Sequence, residues 1–361
     1  MKIVIFGLTV SSSWGNGHAT LWRGLLKALI RRGHDVAFFE RDADYYRDNR
    51  DLHALPGGEL VLYPDWASVA ARAARAVAEA DVALVTSYCP DAAEAERAVL
   101  DAPRALRVFY DLDTPVTLAA LDHARPAYVG PDGFAGYDLV LSYTGGPALD
   151  ALKSRLGARR VAPLYGHVDP DLHRPVPRAA RFAADLSYLG TYAADRQAAL
   201  EALFVVPARS RPASRFLIGG AQYPADFPWT DNIFFVRHLP PPDHPAFFSS
   251  ARLTLNVTRH AMAAMGWCPS GRLFEAAACG AAILTDAWDG LDSFFRPGTD
   301  LIVARTTEDA LAAVDLSDAE LRRVAEAGRA RVLAEHTSAH RARDFEDAVA
   351  GARDPAGGGE G

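Results

Sequence analysis

The chain has 361 residues, too many for one ordinary hydrophobic core and enough for two domains of about 170 residues each. Half the residues are apolar and 23% are charged, with a formal net charge of −7 and a pI near 5.9; this composition is that of a soluble globular protein and argues against a nucleic-acid partner, which would call for a basic excess. No apolar run reaches the roughly 18 residues that span a bilayer, and the N-terminus MKIVIFGL turns polar too soon for a signal peptide, so a cytoplasmic location is expected, with peripheral membrane contact left open.

Lys2 to Phe6 is a short continuous apolar run, as a parallel strand covered on both faces requires. A Gly- and Ser-rich loop, Gly7 to Gly17, leads into a helix whose Leu21, Trp22, Leu25, Leu26, Leu29 and Ile30 recur at helical spacing up to Gly33. Asp35 to Glu40 is the second strand. Alternation continues through the strand Leu60 to Tyr63, the helix Trp66 to Ala80, the strand Val82 to Thr86 and the helix Asp91 to Leu100. Strands at Leu106 to Tyr110, Leu139 to Tyr143 and Arg160 to Leu164, with a helix at Pro147 to Leu156, complete a doubly wound pattern.

The stretch His167 to Pro177 carries Pro170, Pro175 and Pro177, can hold neither a helix nor a central strand, and reads as a hinge. The same alternation then restarts with Leu186 to Leu189, a helix after Asp195, Phe216 to Ile218, Ile233 to Val236, a helix at His244 to Ser250 and Leu253 to Val257. Asn256 to Pro269 reads as a long linker; Leu301 to Ala304 is a last strand. An amphipathic helix at Asp318 to Glu335 and a further helix at His340 to Val349 follow. The expected domains are residues 1–166, a linker at 167–185, a second domain at 186–336, a closing helix at 337–350 that packs back on the first domain, and a disordered tail at 351–361. Cys89, Cys268 and Cys279 lack metal-ligand or disulfide spacing and read as reduced thiols.

The most informative stretch is SGRLFEAAACGAAILTD, Ser270 to Asp286. Ser270 is a candidate N-cap, Leu273, Phe274, Ala277 and Ala278 form an apolar helical face, and Gly280 ends the helix before a buried strand. The unpaired N–H groups at such a helix start, at Ser270 and Gly271, attract an anion such as a diphosphate. Arg272 adds a cationic fork, and Glu275, one turn deeper, can accept hydrogen bonds from sugar hydroxyls.

This motif, with its continuation DGLDSFFRPGTDLIVA, resembles the donor-binding segment of two-domain glycosyltransferases of GT-B architecture, and within them the CgeB-like, spore-maturation-protein-like group of the group 1 glycosyltransferases. The similarity runs from the first strand to about residue 345. It implies an α/β fold of two Rossmann-like domains facing across a cleft, with the acceptor on the first and a nucleotide-diphosphate sugar, UDP- or dTDP-type, on the second. In such enzymes the carboxylate matching Glu275 holds the nucleotide ribose. Retaining members place another Glu eight positions earlier, where this chain has Trp267.

The resemblance also implies donor contacts at Gly190 and Arg196 in SYLGTYAADRQ, where the more usual Arg directly after the Gly is Thr191, and at Leu239 in the segment that meets the nucleobase. In the first domain, GNGHAT places Gly17 and His18 at a helix start, with His18 the candidate base. Read instead as a dinucleotide fingerprint, the same loop lacks a third Gly and runs ten residues past the strand, although Glu40 would fit a ribose-binding acid. Asp111 and Asp113 follow the fifth strand and either could orient an acceptor hydroxyl, or Asp113 could cap the next helix. No metal and no cofactor beyond the donor are expected. The expected activity is sugar transfer to an unidentified acceptor, a small molecule, glycan or protein. A sugar-nucleotide epimerase and a non-catalytic nucleotide-sugar-binding protein are the alternatives.

Overall fold

The structure is a computed structural model that describes residues 1–354; the tail at 355–361 lies outside the described residues. Runs of Val, Ile, Leu and Phe form the first sheet: β1 (Lys2–Gly7), β2 (Asp35–Arg41), β3 (Glu59–Tyr63), β4 (Val82–Thr86), β5 (Leu106–Asp111), β6 (Leu139–Ser142) and β7 (Val161–Pro163). They pair in parallel in the order β3-β2-β1-β4-β5-β6-β7. The central strands have no polar face because helices cover both sides: every residue of β4 is buried, and so is β1 beyond Lys2. The connecting helices begin and end where side-chain chemistry demands. Asp65 caps Trp66–Glu79 by accepting the Ser68 N–H, Pro147 opens Pro147–Leu156, and left-handed Gly157 closes it.

The second sheet repeats the plan with six parallel strands, β8 (Ala184–Leu189), β9 (Phe216–Gly220), β10 (Ile233–Arg237), β11 (Ala251–Asn256), β12 (Ala282–Thr285) and β13 (Ile302–Val303), in the order β10-β9-β8-β11-β12-β13. Leu186, Phe204, Phe216, Ile218, Leu253, Leu255 and Leu284 pack in its core. The helical run from Gln197 to Ser210 contains a π segment at Glu201–Val205. Pro207 follows it, and because proline has no N–H to donate four residues back, the ladder is interrupted there.

The described chain divides into two compact units. One comprises Met1–Tyr165 together with the residues from Ser338 onward, the other Gly166–Thr337. The closing helix, Ser338–Arg353, is longer at both ends than the segment 340–349 read from the sequence. It packs on the helix His18–Arg31 and on β5 and β6. Glu346 pairs with Arg32 and, at 2.6 Å, with His34, while Arg353 donates to the Asp81 carbonyl. The pro-rich segment from His167 belongs to the second unit, where Val168 bridges to Thr337.

One sequence reading needs correction. The span Asn256 to Pro269 is not simply a linker, because it contains the helix His260–Met265. Its Ala and Met residues are good helix formers, and Gly266, at φ 73°, stops it. Among the described residues no helix is long and apolar enough to cross a membrane.

Both sheets reverse strand order once, the first between β1 and β4 and the second between β8 and β11. At such a switch the loops leaving the carboxyl ends of adjacent strands run in opposite directions and open a crevice, which is where open α/β sheets hold ligands.

Candidate functional site

In the second unit the loop after β8 carries Gly190, β11 ends at Asn256, and the helix Gly271–Ala278 points its start at the same switch. Ser270 occupies the N-cap position with extended backbone, yet its hydroxyl makes no cap bond; the Leu273 amide donates to the Ser270 carbonyl at 3.0 Å, so it is the amides of Gly271 and Arg272 that keep their capacity for an external acceptor. Arg272 crosses from that turn to the strand ends. Its Nη1 donates to Asn256 Oδ1 at 2.9 Å, its guanidinium lies 5.3 Å from the centre of the Tyr188 ring, and its Nη2 would stand 3.0 Å from a Cβ placed on Gly190. Burial, and behind it the charge of Arg196, lowers the Arg272 pKa from the usual arginine value. Arg196 donates from Nη1 to the Thr191 carbonyl at 3.2 Å, and its Nε is buried with no protein partner. Two guanidinium groups, one of them with an unused donor, are groups whose chemistry suits an anion.

Glu275 sits one turn past Gly271 and is flanked by two imidazoles. His173 Nε2 is 3.9 Å from Oε1, and His244 Nδ1 is 3.7 Å from Oε2. Burial alone would raise the Glu275 pKa; the charges of His173, His244 and Arg272 outweigh it and bring the carboxyl down to about 2. Glu275 is therefore ionised and ready to accept hydrogen bonds from hydroxyls. The Leu239 carbonyl is already engaged, since it accepts from His244 Nε2 at 3.2 Å. Trp267, eight residues before Glu275, has left-handed backbone at φ 44°, and its indole lies against Gly290, where a Cβ would come within 2.5 Å of the ring.

In the first unit the loop after β1 is built around Glu40. This carboxylate is fully buried and accepts from Thr9 Oγ1, Val10 N, Ser11 N and Ser11 Oγ. Both its oxygens are occupied in shaping the loop, which removes the ribose role that a dinucleotide reading gives it. The loop delivers Gly17 to the N-cap and His18 to the first position of the helix. Gly17 has right-handed backbone and open space around it, while Asn16 supplies the cap, its Oδ1 accepting from His18 N at 3.1 Å.

His18 Nε2 is 3.7 Å from Asp113 Oδ1, and Tyr88, from the loop after β4, donates its hydroxyl to Asp113 Oδ2 at 2.9 Å. Tyr88 has φ 65°, a left-handed conformation that a bulky residue adopts only when its surroundings impose it. Its ring lies nearly parallel to the His18 imidazole. Asp113 occupies the N-cap of Thr114–Ala120 without a side-chain cap bond; its carboxylate faces His18 and Tyr88 instead. Asp111 is wholly buried. Its Oδ1 accepts from Asp113 N and Thr117 Oγ1 while Oδ2 has no partner, and burial pushes its pKa up to about 6. The structure thus gathers His18, Asp113 and, one layer below, Asp111 in the first unit, and Gly190, Arg196, Arg272 and Glu275 in the second.

Sequence reasoning missed Tyr88, His173 and His244. For Tyr88 the only available signal was its position just past a strand next to the order reversal; for the two histidines there was none, because each reaches Glu275 from a distant part of the chain.

Solved structures with the same fold cover nearly the whole chain. A sucrose-phosphate synthase from Thermosynechococcus elongatus superposes with TM-score 0.67 at 14% identity over 96% of this chain and 98% of its own. An alpha-glucosyltransferase in complex with UDP-glucose and DNA containing an abasic site gives 0.71 at 11%, over 97% and 99%. The Anabaena HepE protein in complex with UDP and glucose gives 0.65 at 12%, again over 97% and 99%. The fold is that of the GT-B glycosyltransferases. Residues 196–347, less than half of the chain but including Arg196, Arg272 and Glu275, match the family model described as glycosyl transferase-like. No curated protein sequence matches the chain.

Proposed function

We propose that the protein is a glycosyltransferase of the CgeB-like group that takes a sugar from a UDP- or dTDP-type donor held by the second unit. The observation that carries this reading is the convergence of Arg272, Arg196 and the uncapped start of Gly271–Ala278 at the strand-order reversal, with ionised Glu275 one turn away. The cations and helix amides suit a diphosphate, and Glu275 suits the ribose hydroxyls. As the glycosidic bond to the donor breaks, charge grows on the diphosphate. Arg196, Arg272 and the helix start then stabilise the leaving group electrostatically and without a metal. In the first unit His18, held opposite Asp113, is the base that takes the proton from an acceptor hydroxyl, which gives inverting chemistry. The acceptor is a small molecule, glycan or protein; the net charge of −7 disfavours DNA.

The test is a thermal-shift and calorimetric series with UDP, dTDP and their sugars. A nucleoside diphosphate should stabilise the protein, and Glu275→Ala should weaken binding several-fold while leaving a folded protein. Unchanged affinity in that variant would sink the assignment. Sugar released or transferred from the bound donor distinguishes a transferase from a binding protein.

A further inference from the structure

The surroundings of Glu275 contain more than a ribose site needs. Among the described residues His173, His244 and Glu275 form a group whose candidate ligand atoms all lie within 4.8 Å of one another. His244 Nε2 donates to the Leu239 carbonyl at 3.2 Å, and its buried Nδ1 lies 3.7 Å from Glu275 Oε2 with no hydrogen-bond partner. His173 is fully buried, neither of its nitrogens has a hydrogen-bond partner, and Nε2 is 3.9 Å from Glu275 Oε1. An imidazole buried without a partner is costly.

A single cation at the centre gives both unpartnered imidazoles a ligand role beside the carboxylate. Two ligands held 2.0–2.1 Å from a tetrahedral ion are about 3.4 Å apart, so the pairs at 3.7 and 3.9 Å need only a few tenths of an ångström of closure. The Leu239 carbonyl on the far nitrogen of His244 is the outer-shell partner that metal-bound histidines ordinarily have. Two imidazoles and one carboxylate favour Zn²⁺ and its neighbours over Mg²⁺ or Ca²⁺.

We propose that His173, His244 and Glu275 bind one divalent transition-metal ion of the Zn²⁺ class. This ion is not part of the transfer chemistry. It occupies the Glu275 oxygens that the ribose reading assigns to hydroxyls, so metal and nucleotide exclude one another. Metal binding stands independently of the donor reading, whereas the exclusion rests on it.

Full-length protein freed of metal with a chelator and titrated with Co²⁺ should bind one ion per chain and develop the intense visible absorption of a four-coordinate N/O site, which Zn²⁺ then bleaches by displacement. His244→Ala and His173→Ala should each weaken Zn²⁺ binding at least 100-fold, with His53→Ala as the surface control. If the parent shows no stoichiometric binding, or if the double variant His173→Ala, His244→Ala binds Zn²⁺ as tightly as the parent, the site does not exist and the pair holds protons only. UDP titrated into the Co²⁺ form should quench the spectrum. A spectrum unmoved by saturating UDP, with UDP bound, would leave the metal site standing and overturn the placement of ribose at Glu275.

Discussion

Asp113 stands at the head of a helix but turns its carboxylate away from the helix amides, placing Oδ1 3.7 Å from His18 Nε2 while Oδ2 accepts from Tyr88. Such a spacing tightens when substrate enters, and a carboxylate behind an imidazole orients the ring and stabilises the cation that forms on proton uptake. His18→Ala should lose on the order of 10²-fold or more in turnover and keep its UDP affinity. Asp113→Asn should fall in the same direction by less. Parental turnover in His18→Ala would make His18 structural and move the search for a base to Asp113.

Gly190 offers a test of the anion site. A Cβ there would come 3.0 Å from Arg272 Nη2 and 2.8 Å from the Tyr188 hydroxyl, both the far ends of side chains rather than backbone. Gly190→Ala should therefore fold, with Arg272 displaced, and bind UDP more weakly by roughly tenfold, about 1.4 kcal/mol. Uridine should be nearly unaffected. Equal loss for UDP and uridine, measured by calorimetry, would show that Arg272 does not meet the phosphates.

Asp111 predicts an unusual pH dependence. Its native pKa, raised by burial to about 6, lies above the value of 3.8 for the free side chain. Between those values the folded state binds more protons than the unfolded one, so stability falls as pH rises through the window. The full cost is up to about 3 kcal/mol. In urea titrations at pH 4 and 6.5, Asp111→Asn should gain on the parent by up to that amount at the higher pH. A difference independent of pH would mean that Asp111 is ionised throughout.

Glu346 behaves in the opposite sense. Its bonds to Arg32 and His34 bring its pKa from 4.5 down to about 2, so the stability it contributes is present above pH 4.5 and is lost as pH falls toward 2. The pair is partly exposed, and solvent screening limits the contribution to about 1 kcal/mol. Glu346→Gln should be destabilised by that amount at pH 7, and the difference should close in acid. A gap that persists at pH 2 would assign the effect to packing of the closing helix.

How much of this was legible in the sequence depended on whether the determinant was local. Pro147–Leu156, His244–Ser250 and Asp318–Glu335 appear with the boundaries read from the chain, because a proline in the first turn or, in the last case, the Ser317–Glu320 capping box fixes each start. The helix start at Ser270 was also read locally, although Ser270 makes no side-chain cap bond there. Tyr88 and His173 were not, since their importance comes from tertiary neighbours 25 and 102 positions away. Glu40 shows the opposite error, a strand-end acid that sequence spacing offers to a ribose and that the fold uses to hold its own loop.

The closing helix has a consequence for biosynthesis. Because Ser338–Arg353 packs on the helix His18–Arg31 and on β5 and β6, the unit begun first on the ribosome is finished last. Residues 166–337 can emerge and fold as a unit while the earlier one still exposes the surface that Phe345 and Val349 will cover. A stalled or truncated chain lacking those last turns would thus carry its defect at the opposite end of the sequence, in the nascent N-terminal half, where a chaperone would find it.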